Sequence, residues 1–230
     1  MFKNIFLDAG GVILDEENFE DNMAKIITKV IQNYCKNYAL ENYWNDVSDA
    51  VYRFVPRTYE YILFKNIVNI DKFKKAKQIK NNEEQKNLNN DFKLMDGIKG
   101  FVEQFSRNYK IGILGQYGIK FRNFLEEMNI LQYFTFTEIQ DSYKITKPDP
   151  RYFEAILNKC NCKAEECLMV GDRIDKDIIP VKMIGMKTIR IKTGLHKNQE
   201  PRIPEEIPDL TVNKIEDINI ETIKAMDYFA

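Results

Sequence analysis

An apolar run that ends on an aspartate near the start of the chain constrains the fold more than any other feature. The run begins at Phe2, stops at Asp8 and passes directly into Gly10 and Gly11. Such a run is typical of a strand that is buried in a parallel sheet. In open α/β sheets, ligands bind in the crevice beyond the carboxyl ends of the strands. We therefore expect Asp8 to lie at a ligand site.

A second strand pattern, far downstream, also ends in acidic residues. The apolar run 167–170 leads through a glycine to Asp172, and Asp175 and Asp177 follow closely. Lys147 lies between the two patterns, in the segment Lys147-Pro148-Asp149. Because the carboxyl ends of parallel strands share one edge of a sheet, we expect carboxylates and a lysine to meet there.

Helices and strands alternate along the last part of the chain, which is typical of a parallel sheet covered by helices. We predict an α/β core domain of residues 1–16 and 95–230, with a doubly wound, Rossmann-like parallel sheet. Residues 17–94 have apolar positions at helical spacings and almost no strand signal, which predicts an inserted helical domain. The predicted later strands are 110–114, 134–139, 167–170, 187–191 and 210–212, and the predicted helices are 98–105, 119–128, 152–157, 177–184 and 215–229.

The charge balance argues against partners that are attracted over long distances. The formal net charge is −1, so we expect no nucleic-acid or membrane partner. The basic tract from Lys72 to Lys93 is interrupted by glutamates and asparagines, as in a solvated helix followed by a polar connector. With no apolar stretch long enough for a bilayer and no signal peptide, we expect a cytoplasmic protein. Whether it is a monomer or a homodimer stays open from the sequence.

Cysteines and histidine give little sign of metal or nucleophile chemistry. Three of the four cysteines, Cys160, Cys162 and Cys167, crowd into one segment but lack the paired Cys-x-x-Cys spacing of common zinc sites. We expect reduced thiols. The single histidine, His196, lies in a polar stretch and is predicted to be a solvated loop residue. No serine or cysteine nucleophile has an evident histidine partner, which argues against triad chemistry.

The acidic strand ends indicate a metal site instead. Carboxylates that gather at neighbouring strand ends stay ionised together only around a cation. Oxygen ligands without sulfur or imidazole suit Mg²⁺, which commonly bridges to a substrate phosphate. Lys147 then serves as a point charge for the phosphoryl group or for Asp8. An aspartate in this position can attack phosphorus and form an aspartyl-phosphate.

Together these motifs resemble those of the haloacid dehalogenase-like hydrolase superfamily, over essentially the whole chain. The resemblance implies that the inserted helical block is an α-helical cap, which closes over the site and selects the substrate. The four matching segments are Phe6-Leu7-Asp8-Ala9-Gly10-Gly11-Val12, Ile111-Gly112-Ile113-Leu114-Gly115-Gln116, Lys147-Pro148-Asp149 and Val170-Gly171-Asp172-Arg173-Ile174-Asp175-Lys176-Asp177.

The resemblance also implies roles for the acidic residues. Asp8 is then the nucleophile and a Mg²⁺ ligand, and the carbonyl of Gly10 is a second ligand. Asp172 and Asp177 complete the acidic support of the metal. Asp175 ranks behind Asp177 and is expected to act as a helix-start residue.

The remaining implied roles concern the phosphate, and here the chain departs from the family pattern twice. Lys147 is implied to neutralise the phosphate and the nucleophile. Gly115 stands where the family usually has a serine or threonine hydroxyl, so backbone N–H groups, with Gln116 or Tyr117, are the remaining donors. Gly10 stands where phosphatases of the family carry a second aspartate that acts as acid and base.

Three functions remain open from the sequence. The first is a Mg²⁺-dependent phosphatase that acts on a small phosphorylated metabolite, with reduced activity because of Gly10 and Gly115. The second is a degenerate protein that binds a phosphorylated ligand or a partner without turnover. The third is a 2-haloacid dehalogenase, which needs no metal, and Asp172 and Asp177 argue against it because they would repel a carboxylate substrate.

Overall fold

A computed structural model of the chain describes residues 1–87, 92–115, 117–138 and 145–228. The chain forms two compact units. The core unit comprises Met1–Asp15 and Phe92–Ala230, and the helical unit comprises Glu16–Asp91.

The described part of the core unit contains one six-stranded parallel sheet, in the order β5-β4-β1-β6-β7-β8. Two further strands, β2 and β3, form a short antiparallel pair. The strands are β1 (Asn4–Asp8), β2 (Leu14–Asp15), β3 (Lys93–Leu94), β4 (Lys110–Leu114), β5 (Phe134–Glu138), β6 (Cys167–Gly171), β7 (Lys187–Ile191) and β8 (Leu210–Val212).

Helices connect the strands of the core unit and make up the helical unit. The helical unit contains α1 (Glu17–Gln32), α2 (Leu40–Tyr52), α3 (Thr58–Asn66) and α4 (Ile70–Asn87). The core unit contains α5 (Ile98–Phe105), α6 (Gly118–Glu127), α7 (Pro150–Cys160), α8 (Ile179–Met183) and α9 (Ile220–Tyr228). Among the described helices, none is both long and apolar enough to cross a membrane.

The central strand β1 is buried on both faces because helices pack on each side of the sheet. Ile5 and Leu7 join one apolar cluster with residues of α5, α6 and α9. Phe6 points the other way and joins a second cluster with residues of α7 and α8. Successive strand residues point to opposite faces, so an apolar run without alternation requires two covered faces. The predicted doubly wound sheet is confirmed.

The register of β1 against its neighbours fixes where its acidic end lies. Asp8 pairs with Leu114 of β4, and Leu7 pairs with Val170 of β6. The residues that follow β1 and β6 therefore emerge side by side at one edge of the sheet. This is the edge at which open α/β sheets bind ligands.

The structure differs from the sequence-based expectation at three local points. The pair β2 and β3 was not predicted, because a strand of two residues depends on a distant partner rather than on a local pattern. The predicted helix 177–184 begins instead with a π-helical turn, Ile174–Ile178, before α8. The predicted helix 215–229 is a 3₁₀ turn, Ile215–Asp217, followed by α9.

The helical unit carries its own cluster of charged residues. The Nζ atom of Lys65 lies 2.8 Å from Asp46 and 2.9 Å from Asp49. Asp46 also accepts hydrogen bonds from the Tyr38 hydroxyl and the Asn66 amide. Charge and hydrogen bonding in this cluster tie α2 to α3.

Candidate active site

Three aspartates from different segments converge at the edge of the sheet described above. Asp8 is the last residue of β1, Asp172 follows β6, and Asp177 lies in the π-helical turn 174–178. One carboxylate oxygen of each lies within 4.8 Å of the others. Asp172 and Asp177 are buried, whereas Asp8 is half-buried.

Lys147 reaches two of these carboxylates at once. Its Nζ atom lies 2.6 Å from Oδ1 of Asp8 and 2.7 Å from Oδ1 of Asp177. Asp149 begins the following helix, α7, by accepting a hydrogen bond from the backbone N–H of Arg151. The N-cap of α7 therefore lies two residues beyond Lys147 and helps to fix the direction in which its segment runs.

The electrostatics of the four side chains favour a bound cation. Burial, and then the charge of Asp8, raise the pKa of Asp177 to about 6. Burial alone would lower the pKa of Lys147, but the charges of Asp177 and Asp8 raise it above its ordinary value. Arg173 and Lys176 also interact electrostatically with these aspartates. With Asp175, which Arg173 contacts, four carboxylates thus face three cations, which leaves a formal charge of −1 when all seven groups are ionised.

The donor set fits Mg²⁺. The three candidate ligand atoms are all carboxylate oxygens, the donors that this hard cation prefers. Asp177 already has both oxygens held, Oδ1 by Lys147 and Oδ2 by the backbone N–H of Arg173 at 3.2 Å. A carboxylate has about four lone-pair positions, so these contacts orient Asp177 and leave capacity for a metal.

Asp175 has a different environment from Asp177. Its oxygens receive two hydrogen bonds from the guanidinium of Arg173, at 2.6 and 3.1 Å, and one from the side-chain amide of Gln199 at 2.8 Å. Its charge is therefore balanced locally. Asp175 is not part of the group formed by Asp8, Asp172 and Asp177.

Two glycines allow the close approaches that the site needs. A Cβ atom on Gly171 would lie 2.3 Å from Cβ of Asp177, so any side chain there would push Asp177 away. A Cβ atom on Gly115 would lie 2.4 Å from Cβ of Ala9. The residue that usually carries a hydroxyl in this family therefore cannot be introduced next to Ala9 without a shift.

The other predicted site residues are only partly described. Gly10 is buried directly after β1 and forms an isolated bridge with Leu14. Gly115 is buried directly after β4, where its segment enters the same edge of the sheet. Gln116 lies outside the described residues.

Sequence reasoning missed a buried arginine that supports the acidic edge. Arg190 is 1% exposed, and its Nε atom donates to the backbone carbonyl of Asp172 at 3.2 Å. Its other nitrogens donate to the carbonyls of His196, Lys197 and Gln199. The available signal was a cation between two isoleucines of a predicted strand, because such a charge needs many partners if it is buried.

Gln199 is a second residue that the sequence did not indicate. Its side chain is fully buried. The carbonyl oxygen of the side chain accepts from the backbone N–H of Ile174 at 2.8 Å, and the amide donates to Asp175. Gln199 and Arg190 together attach the loop after β7 to the segment that carries Asp172 and Asp177.

The prediction that His196 is a solvated loop residue is wrong. His196 is only 7% exposed, and its Nδ1 atom has no hydrogen-bond partner among the described residues. Burial, and then the charge of Arg173, lower the pKa of His196 to about 3, so the ring is neutral at ordinary pH. The physical reason is Arg190, which draws the carbonyls of this polar loop into the interior.

Comparison with known proteins identifies the family. The sequence pattern described as haloacid dehalogenase-like hydrolase matches residues 10–191. The chain belongs to this family. This haloacid dehalogenase-like hydrolase is 32% identical to the glyceraldehyde 3-phosphate phosphatase of Methanocaldococcus jannaschii over 123 residues. The aligned segment covers 53% of this chain and 52% of the relative. The chain spans about half the length of the curated relatives that it matches first.

Solved structures share the fold of this haloacid dehalogenase-like hydrolase along nearly its whole length. A predicted phosphoglycolate phosphatase from Haemophilus somnus is 22% identical, has a TM-score of 0.69 and covers 97% of this chain and 98% of its own. YfnB of Bacillus subtilis, bound to magnesium, is 16% identical with a TM-score of 0.62, over 94% of this chain and 96% of its own. At these identities the likeness concerns the fold alone.

Proposed function

We propose that this protein is a Mg²⁺-dependent phosphatase that acts on a small phosphorylated metabolite through an aspartyl-phosphate on Asp8. The observation that carries the proposal is the convergence of Asp8, Asp172 and Asp177 with Lys147 in contact with two of them. The curated relatives point to the same class of substrate, since one that covers half of the chain is a glyceraldehyde 3-phosphate phosphatase.

In the proposed reaction, Asp8 is the nucleophile and Lys147 supplies positive charge. A carboxylate oxygen of Asp8 attacks phosphorus, the ester P–O bond breaks, and the leaving group departs as an alkoxide or aryloxide, which takes a proton from water. Water then attacks the phosphorus of the acyl phosphate and releases inorganic phosphate, which regenerates Asp8. Lys147 orients Asp8 through their contact and offsets the charge of the incoming phosphate. Asp8, Asp172, Asp177 and the Gly10 carbonyl would hold Mg²⁺. When bound, the cation would further neutralise the phosphoryl oxygens.

The absence of a carboxylate at Gly10 sets the expected preference among substrates. A positioned acid or base is worth about 10²–10⁴ in rate. The hydrogen bond to the phosphate that a hydroxyl at the position of Gly115 would make is worth about 1.5–3 kcal/mol. Substrates whose leaving group has a low pKa, such as aryl or acyl phosphates, do not need the missing proton donor. We therefore expect p-nitrophenyl phosphate to react much faster than an alkyl phosphate, and similar rates for the two would refute this expectation.

The dehalogenase alternative is disfavoured by charge. A 2-haloacid brings its own carboxylate, and the buried pair Asp172 and Asp177 would repel it. The degenerate alternative is favoured by one contact, because Ala9 occupies the space that a hydroxyl-bearing residue would need at Gly115. Turnover therefore decides between the phosphatase and a protein that only binds phosphorylated ligands.

A screen of phosphorylated metabolites, run with and without Mg²⁺, tests the proposal. We expect phosphate release that requires Mg²⁺ and is lost in Asp8→Asn. Release that is unchanged in Asp8→Asn would assign the activity to a contaminant. No release from any substrate, combined with retained binding of phosphorylated ligands, would favour the degenerate alternative.

The same screen tests the role of Gly10. If the missing acid limits turnover, Gly10→Asp should raise the rate for alkyl phosphates and change the rate for p-nitrophenyl phosphate less. An unchanged alkyl rate in a folded, Mg²⁺-loaded variant would mean that the chemistry does not depend on such a group.

A further inference from the structure

Three thiols lie close together at a place in the core unit that the proposed hydrolysis does not use. Cys160 ends α7, Cys162 follows it, and Cys167 begins β6. All three are free and lie in or against the apolar cluster formed by α7, α8 and neighbouring strands. The Sγ atoms of Cys162 and Cys167 are only 3.5 Å apart.

Backbone contacts keep these two sulfur atoms beside each other. Sγ of Cys167 lies 3.1 Å from the carbonyl oxygen of Lys163, and Sγ of Cys162 lies 3.7 Å from that of Leu157. The short turn Ala164–Glu166 brings the chain from one cysteine back to the other. A disulfide has an S–S length of about 2.05 Å, so bond formation requires the sulfurs to close by about 1.5 Å.

We propose that Cys162 and Cys167 are a site of reversible covalent modification, at which a hydroperoxide converts the two thiols into an intramolecular disulfide. The sulfur of Cys162 attacks one peroxide oxygen, the O–O bond breaks, and a sulfenic acid forms on Cys162. The other oxygen takes the thiol proton and leaves as an alcohol, or as water when the oxidant is hydrogen peroxide. The sulfur of Cys167 then attacks the sulfur of Cys162, the S–O bond breaks, and the hydroxyl leaves as water with the proton of Cys167. The two thiols lose two electrons and the peroxide gains them.

The burial of the two cysteines predicts which thiol reacts first with the peroxide. Cys162 is half-buried and reachable by a small oxidant, whereas Cys167 is fully buried. Burial also raises the pKa of Cys167, and a thiol reacts as its thiolate. The closing step should therefore accelerate as the pH rises above neutrality. Cys160 is the competing thiol, and burial raises its pKa to about 11.

The position of the pair predicts what the disulfide does. Cys167 is the first residue of β6 and Asp172 follows the last, which places them about 16 Å apart along an extended strand. The bond therefore lies far from the carboxylates and closes only a short loop. It should stabilise the core unit by restricting its unfolded chain and leave the metal-binding residues undisturbed.

Peroxide treatment of the folded chain tests the proposal in a background that retains only this pair, Cys35→Ser with Cys160→Ser. The intact mass should fall by two hydrogen atoms, and peptides prepared without reductant should be linked through Cys162 and Cys167. A thiol reductant should restore the original mass. The oxidised protein should melt at a higher temperature than the reduced one.

Single substitutions in the same background give the controls. Cys167→Ala leaves the half-buried thiol without a partner, so it should gain oxygen atoms. Cys162→Ala leaves only the fully buried thiol, which should stay unmodified at the same peroxide concentration. A parent that gains oxygen without losing hydrogen would overturn the proposal, as would a link between Cys160 and Cys162 in the natural chain. Mass mapping of the natural chain decides the matter if an alanine variant does not fold.

Discussion

Among the residues that the structure describes, two clusters have one lysine that joins two aspartates, and they differ in how their charge is balanced. In the helical unit, Lys65 contacts Asp46 and Asp49, and Arg53 adds a second positive charge at Asp49. The two carboxylates thus face two cations. Lys65 is 40% exposed, so water screens its contacts.

In the core unit one lysine also joins two aspartates, but that cluster carries an excess of negative charge. Lys147 contacts Asp8 and Asp177, but Asp172 brings a third carboxylate. Lys147 is only 12% exposed, and Asp177 is 1% exposed. A buried excess of negative charge is costly unless a cation is present. We therefore propose that the balanced cluster of the helical unit stabilises the fold, whereas the excess of negative charge in the core unit binds a cation.

The largest expected difference between the clusters is in catalysis. Asp8→Asn should lower kcat/KM by about 10⁴-fold or more, because an amide oxygen does not replace the attacking carboxylate. Asp49→Asn removes a carboxylate that contacts a lysine in the helical unit and should change the rate by less than about threefold. Steady-state phosphate release in Mg²⁺ measures both. Equal losses in the two variants would show that activity follows stability alone.

The lysines should differ next, in stability. Lys147→Met leaves the buried Asp177 and the half-buried Asp8 without the ammonium that they share and should lower the free energy of unfolding by about 3 kcal/mol without metal. Lys65→Met should cost about 1 kcal/mol or less, because its cluster is more exposed and retains Arg53. Urea unfolding measures both values. Added Mg²⁺ should restore part of the loss in Lys147→Met only, and recovery in both variants would contradict the assignment of the metal site.

The support of the acidic edge gives a smaller effect. Arg190→Lys retains a charge but loses the fork that holds the carbonyls of Asp172 and the loop after β7. We expect the apparent Mg²⁺ affinity to fall by about tenfold, as is typical when an outer contact of a metal site is lost. Saturation of activity with Mg²⁺ measures this. Arg202→Lys, at an ion pair between the exposed Arg202 and the buried Glu206, is the control and should leave the affinity unchanged.

The smallest expected effect is a pH dependence of stability. Because the pKa of Asp177 is about 6 in the folded metal-free protein and near 4 when unfolded, the folded state alone retains this proton between those values. The contribution of Asp177 to stability should therefore fall as the pH rises through this window. Mg²⁺ needs the ionised group, so it should raise the melting temperature more at pH 7.5 than at pH 5. Asp177→Asn should remove this difference, and its persistence would locate the titrating group elsewhere.

The sequence predicts the acidic edge because its information is local. An apolar run that ends in a carboxylate marks a buried strand and the residue beyond it, and this holds for both Asp8 and Asp172. The choice between Asp175 and Asp177 came from a family resemblance, since their order along the chain does not show which one Arg173 neutralises.

Features that depend on distant contacts could not be predicted. Arg190 and Gln199 bind backbone groups up to 25 residues away, and the burial of His196 follows from those bonds. The proximity of Ala9 to Gly115 depends on the register of two strands that are separated by a whole inserted unit. The roles of such residues can be identified only from the folded structure, because the same residue types are equally common in solvated loops.

Calorimetric titration with Mg²⁺ at pH 7.5 measures directly whether the carboxylates of Asp8, Asp172 and Asp177 together hold one divalent cation. We predict one Mg²⁺ per natural chain, binding at least about tenfold weaker in Asp172→Asn, and unchanged binding in Asp46→Asn of the helical unit. Binding that is equal in all three proteins would contradict the account.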